Sequence, residues 1–199
     1  MAGVTQDEAR ALQPGEPVVA LTFEELDLRR HDFADTELAD CVFIGCNLAD
    51  ARFNSATLKN CRFENCSWQG TDLFGVTVSG CKMMAADFTH DIRIVAATFV
   101  NTNLDYSLFR GVDLRRIEFR DCAVREADFS GADLSDASFL NCDMDGVDLS
   151  GATTRDTDLR GSKLGGFDLR HGPYGVVVDG GQALAMVEAL GINVLDGRT

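Results

Sequence analysis

Positive charge is scarce in this chain. Its 18 Lys and Arg stand against 32 Asp and Glu, a net charge of −14 over 199 residues. Such a balance argues against direct gripping of phosphate backbones and favours partners that carry positive surface. No apolar run approaches the ~18 residues of a membrane span. The opening MAGVTQDEAR has acids where a secretory leader has an apolar stretch, so a cytoplasmic location with no membrane partner is expected. Histidine is limited to His31, His90 and His171, far apart, with no metal-spaced cluster around them. GSKLGG at 161–166 lacks the lysine–threonine ending of a phosphate loop. The seven cysteines are odd in number, which points to free thiols rather than a disulfide framework. No catalytic residue, cofactor or metal is expected, and the chain reads as a non-enzyme.

What the chain has in abundance is a period of five. From Phe23 every fifth residue is apolar through Leu28, Phe33, Leu38, Phe43, Leu48, Phe53, Leu58, Phe63, Trp68, Leu73, Val78, Met83 and Phe88. The count then slips by one residue and resumes at Ile94, Phe99, Leu104, Phe109, Leu114, Phe119, Val124, Phe129, Leu134, Phe139, Met144, Leu149, Thr154, Leu159, Leu164 and Leu169. Of these 30 centres only Thr154 is not apolar. Two places before each centre stands a mostly small residue, such as Cys41, Ala51, Cys61, Ala127 or Ala132, and most of the other positions are polar.

Five matches neither the helical period nor that of a strand. A chain that buries two residues in five must turn a corner at every unit, and four corners close a square. Twenty residues then make one coil, whose backbone groups pair with the coils above and below at ~4.8 Å. Gly at the last unit position, as in Gly111, Gly131, Gly146, Gly151 and Gly161, suits the corners. The fold class is therefore an all-β solenoid, a quadrilateral β-helix of about 30 five-residue units over 21–170.

With a coil of twenty, Cys41, Cys61 and Cys81 form one ladder, Cys46 and Cys66 another, and Cys122 and Cys142 a third. All occupy the small inward position and are read as apolar filler. Phenylalanines lie on one pair of opposite sides before the slip and on the other pair after it. The slip, THDIR at 89–93, is expected to bulge or kink the stack and divide it into two sub-solenoids.

Solenoids need capped ends. Residues 1–20 read as a flexible lead, with Val18, Val19, Ala20 and Leu21 covering the first coil. HGPYG marks a turn after Leu169. Residues 171–199 form a terminal module: a short helix from Asp179, with Ala183, Met186, Val187 and Leu190 on one face and Gly191 as its stop, then a short strand through Ile192, Val194 and Leu195.

The surface charge is uneven. Between Glu126 and Thr154 lie Glu126, Asp128, Asp133, Asp136, Asp143, Asp145 and Asp148, with no Lys or Arg. Just before them Arg110, Arg115, Arg116, Arg120 and Arg125 girdle one coil. By phase, Asp128, Asp148 and Asp168 stack on one side and Asp113 and Asp133 on the next, with Asp136 and Asp156 at the corner. These two acidic sides are the expected partner-binding surface. The girdle leaves open a site for an anionic ligand. A rod of seven and a half coils is about 36 Å long.

The units ADFSG, ADLSD, VDLSG and TDLRG resemble the A(D/N)LXX signature of the pentapeptide repeat proteins. That resemblance implies a right-handed quadrilateral β-helix. The tail, with Gln182, Ala183, Met186, Glu188, Leu190, Gly191, Ile192 and Val194, is similar to the C-terminus of the Qnr and MfpA-like branch. There the final module joins two chains head-on, which implies a homodimer through Ala183, Met186, Val187, Leu190, Ile192 and Val194. Members of that branch bind DNA gyrase and topoisomerase IV as DNA mimics and protect them from quinolones or natural poisons. This chain lacks the long loops of the Qnr solenoids. The competing expectation is a scaffold or regulatory module with an unrelated protein partner.

Overall fold

The computed structural model describes residues 2–165 and 174–194. Short parallel strands stack into two ladders. One contains Ala2–Gly3, Leu21–Glu24, Val42–Ile44 and Arg62–Glu64. The other runs through Val18–Val19, Glu37–Ala39, Thr57–Lys59, Thr77–Ser79, Thr98–Val100, Glu118–Arg120 and Ser138–Leu140. The register is the predicted twenty, with Phe23 opposite Phe43 opposite Phe63. Isolated bridges pair the remaining sides, and the whole is a parallel β-solenoid of about seven turns.

Each corner is made by a residue of positive φ at the last unit position, as at Asp35 (57°), Asp50 (58°), Asn60 (54°) and Gly131 (67°). Asp, Asn and Gly tolerate this left-handed region better than branched residues do, which is why they recur there. Many corners are closed by a bond from the residue that follows back to the centre, such as Ala51 N–H to Leu48 O (2.9 Å).

The centres fill the bore. Phe23, Phe43 and Phe63 stack at 4.4 and 4.7 Å, and Phe33 lies over Phe53 at 4.9 Å. Above them Phe99, Phe119 and Phe139 stack at 5.1 and 4.6 Å on another side, and Phe119 and Phe139 meet Phe129 edge-on. Each such contact contributes roughly 0.5–1.5 kcal/mol beyond burial.

The slip does not divide the molecule. Register changes from twenty to twenty-one, with Val78 opposite Phe99, Asp72 opposite Arg93 and Asp87 opposite Leu108, and the ladder continues. The aromatic column Trp68–Phe88–Phe109–Phe129 crosses it at spacings of 5.5, 4.9 and 4.8 Å. The positive φ due at residue 90 falls instead on Asp91 (52°). The extra residue is absorbed in a corner, where no side chain faces the core, so the expected boundary between two sub-solenoids is replaced by one continuous stack.

The same slip merges two of the three cysteine ladders and leaves Cys46 and Cys66 on their own side. Lys82, Asn103, Ala123, Asp143 and Lys163 pair in series, so their neighbours Cys81, Thr102, Cys122, Cys142 and Ser162 share one column with Cys41 and Cys61. All seven cysteines are free. Each thiol lies against two carbonyls; that of Cys41 is 3.4 Å from both Val18 O and Ala39 O. Thr71, Thr157 and Ser162 use the same position to donate to Leu48 O, Leu134 O and Phe139 O at 2.7–3.0 Å. The site takes a small side chain, and where that is Cys, Ser or Thr a backbone carbonyl can receive its hydrogen.

Both ends differ in part from expectation. The lead is not a loose arm: helix α1 (Gln6–Ala11) follows Ala2–Gly3, capped by Thr5 with Glu8 closing a capping box. Ala9 is buried against the core, and the Gln6 side chain bonds both the N–H and the C=O of Asp27 at 2.8 Å. At the other end helix α2 (Gly180–Ala189) starts at Asp179, whose capping box includes Gln182. Gln182 Nε2 donates to Leu159 O (2.6 Å) and Ser162 O (2.7 Å) of the last coils. Gly191 follows with φ of 78°, the predicted stop. Ile192 and Val194 form no strand, and Leu195 lies outside the described residues.

Candidate protein-interaction surface

The aspartate preceding a centre has a structural task first. Its Oδ1 accepts from the N–H two residues on: Asp113 from Arg115 (3.2 Å), Asp128 from Ser130 (2.9 Å), Asp133 from Ser135 (3.0 Å) and Asp148 from Ser150 (2.8 Å). Asn47 does the same for Ala49 at 3.0 Å. This Asx turn needs a carbonyl-type oxygen and not a charge, which explains Asp or Asn at the position. The second carboxylate oxygen is left over for other contacts.

Asp128 pairs in register with Asp148, and Asp113 with Asp133, on adjacent sides as the phase predicts. Asp136 and Asp156 occupy the corner column above Arg116, linked by Asp136 N–H to Arg155 O (2.9 Å). Asp168 lies outside the described residues.

What the sequence did not disclose is where the arginine girdle points. Arg110 reaches up one coil to Asp128 (2.6 Å). Arg115 holds Asp113 (2.6 Å) and lies 3.7 Å from Asp133, while Arg116 lies 3.9 Å from Asp136. Arg125 pairs with Asp105, whose carboxylate is fully buried, and Arg120 with Glu118. Girdle and acids are therefore one network. The Arg115 guanidinium holds the Asp113 carboxyl below the usual carboxylate range. At Asp128 burial pushes the other way, and hydrogen bonds from Ser130 and Arg110 outweigh it.

Four of the predicted acids are thus partly neutralised. Among the described residues Asp148 and Asp156 have no Lys or Arg within 4 Å, and neither do Glu126 and Asp145. Glu126 and Asp145 stand in the acidic run of the sequence, but their lack of a partner depends on coil stacking, which composition does not reveal.

A parallel solenoid turned by five-residue units, with Asx turns before its centres, is the geometry of one known family. The family model for the pentapeptide repeat region matches residues 20–84, 73–149 and 92–169. This chain belongs to the pentapeptide repeat proteins. Among solved structures, this pentapeptide repeat chain is similar to QnrB1, a plasmid-mediated fluoroquinolone resistance protein. A trypsin-treated variant is 30% identical with a TM-score of 0.72, covering 92% of this chain and 91% of QnrB1. A second trypsin-treated variant gives 28% and 0.71 over 98% and 95%, and the full-length form 27% and 0.56 over 96% and 95%. No curated protein sequence matches the chain at a significant level.

Proposed function

We propose that this Qnr-like pentapeptide repeat protein binds a type II topoisomerase, DNA gyrase or topoisomerase IV, as a non-enzymatic mimic of DNA and relieves its inhibition by quinolones or natural poisons. The observation that carries the reading is the 30% identity to QnrB1 over 92% of the chain, on a solenoid with a net charge of −14. Carboxylates on a rigid stack with a ~4.8 Å rise stand in for phosphates on a duplex. The enzyme's DNA-binding saddle supplies the complementary positive field.

The working form in this reading is a cytoplasmic homodimer. Helix α2 and its continuation leave Ala183, Leu190, Ile192 and Val194 exposed and Met186 and Val187 half-buried. Docking two such faces head-on covers that apolar surface and doubles the rod. Sedimentation at micromolar concentration tests it, and a monomeric mass overturns it.

Gyrase supercoiling assays with a fluoroquinolone, with and without this protein, test the main reading. Binding with dose-dependent protection or inhibition supports it, whereas no effect on gyrase or topoisomerase IV removes it. Because Asn preserves the Asx turn, the triple variant Asp128→Asn, Asp133→Asn, Asp148→Asn keeps the fold and weakens the effect.

A further inference from the structure

One corner column carries an exposed aromatic residue. In successive coils it reads Ala85, Tyr106, Glu126 and Gly146, with φ of 55°, 62°, 54° and 71°. The coil imposes this conformation on its corners, and a bulky aromatic is a costly residue to place in it. Tyr106 does not repay that cost inside the molecule: it is 56% exposed, and its hydroxyl makes no hydrogen bond among the described residues. Met84, beside Ala85 in the coil below, is 47% exposed. In a solenoid whose centres are buried, these two form an outward apolar patch beneath Glu126.

The surroundings of the patch state what covers it. Ala85 below Tyr106 is small. Above, Glu126 leans over Gly146, where a Cβ would come within 2.6 Å of Oε1. Glu126 N–H donates to Asp145 O (2.9 Å), and Asp148 follows on the next side. An aromatic knob thus sits within about two coils, roughly 10 Å, of three carboxylates with no basic partner among the described residues. Arg125, whose carbonyl accepts the Tyr106 N–H, stands beside the patch but is held by the buried Asp105, so the free charge around it is acidic and fits a cationic protein surface with an apolar recess. The aromatic supplies the anchor, and the acids supply steering.

We infer that Tyr106 and Met84, flanked by Glu126, Asp145 and Asp148, form the principal anchor by which this chain docks onto a basic protein surface. The corner column of Tyr106 and Glu126, rather than the arginine-paired acidic sides, makes the decisive contact. The inference rests on the topoisomerase reading above and specifies where that partner is held.

Tyr106→Asn separates anchoring from folding. Asn is at ease at positive φ, so the variant should melt at or above the wild-type temperature. Its affinity for purified gyrase, measured by surface plasmon resonance on the full-length chain, should fall at least ~10-fold, with most of the change in dissociation rate. Tyr106→Phe should stay within about threefold of wild type, since the hydroxyl has no partner to lose. Wild-type affinity in Tyr106→Asn overturns the anchor while leaving the topoisomerase reading intact. Failure of the wild-type chain itself to bind gyrase or topoisomerase IV overturns that reading and the anchor with it.

Discussion

Phe88 stacks on Phe109 with ring centroids 4.9 Å apart and planes 23° from parallel, across the one coil that carries an extra residue. Phe109 in turn stacks on Phe129 at 4.8 Å. Phe109→Ala removes both contacts and opens a cavity in a bore with no slack. It should destabilise the protein by about 3–5 kcal/mol in denaturant titration.

Deleting His90 should be tolerated. With it gone, Phe88, Thr89 and Asp91 regain the regular order of centre, polar residue and positive-φ corner. Gly70 N–H, now bonded to His90 O at 2.9 Å, would find the preceding carbonyl instead. The deletion variant should melt within a few degrees of the parent, and a collapse in Tm would show that the extra residue is required for closure.

The buried thiols of Cys41, Cys61, Cys81, Cys122 and Cys142 should resist alkylating reagents until the protein unfolds. Contact with the Cys61 thiol, aided by burial, pushes the Cys41 thiol well above the ordinary range and keeps it protonated. Cys122→Ser should cost under ~1.5 kcal/mol, because Ser162 and Thr157 already use that position to donate to a backbone carbonyl. Mass spectrometry of labelled protein and a melting curve check both.

Stability should be flat through neutral pH and fall in acid. Arg115 beside Asp113 and Arg160 beside Asp158 hold those carboxyls below the ordinary range, and Arg29 brings Asp27 to about 2. A depressed native pKa means that the unfolded chain binds more protons. The contribution is therefore complete above the unfolded pKa near ~4 and is lost as pH falls through the lower folded values. Denaturant midpoints measured from pH 7 to pH 2 should dip slightly below about pH 6.5, where burial keeps the His31 imidazole neutral in the fold, and drop steeply below about pH 4.

Replacing the girdle should sharpen the acidic field. Arg110→Gln with Arg115→Gln frees Asp113, Asp128 and Asp133 from the pairs that now screen them. Exposed pairs are worth under ~1 kcal/mol each, so the fold should persist. Association with a basic partner should speed up at low salt and converge with wild type at high salt, as stopped-flow rates would show. Slower association would place the arginines themselves in the contact.

The spacing of Phe23, Leu28, Phe33 and their successors determined the square coil by itself, because only a corner at every fifth residue buries such a pattern. The rotation of the bulky sides between Phe63 and Phe99 was legible for the same reason. The α1 helix was also written locally, in the Thr5-to-Glu8 capping box, although it lies ahead of the five-residue period and was read as a flexible lead. Tertiary stacking decided the rest. A one-residue slip can break a stack or vanish into a corner, and only the register of Val78 on Phe99 distinguishes these. Charge was counted correctly from sequence but not placed. Arg110 and Asp128 are 18 residues apart and meet because one coil is twenty residues long, so which carboxylates stay unpaired is a property of the stack.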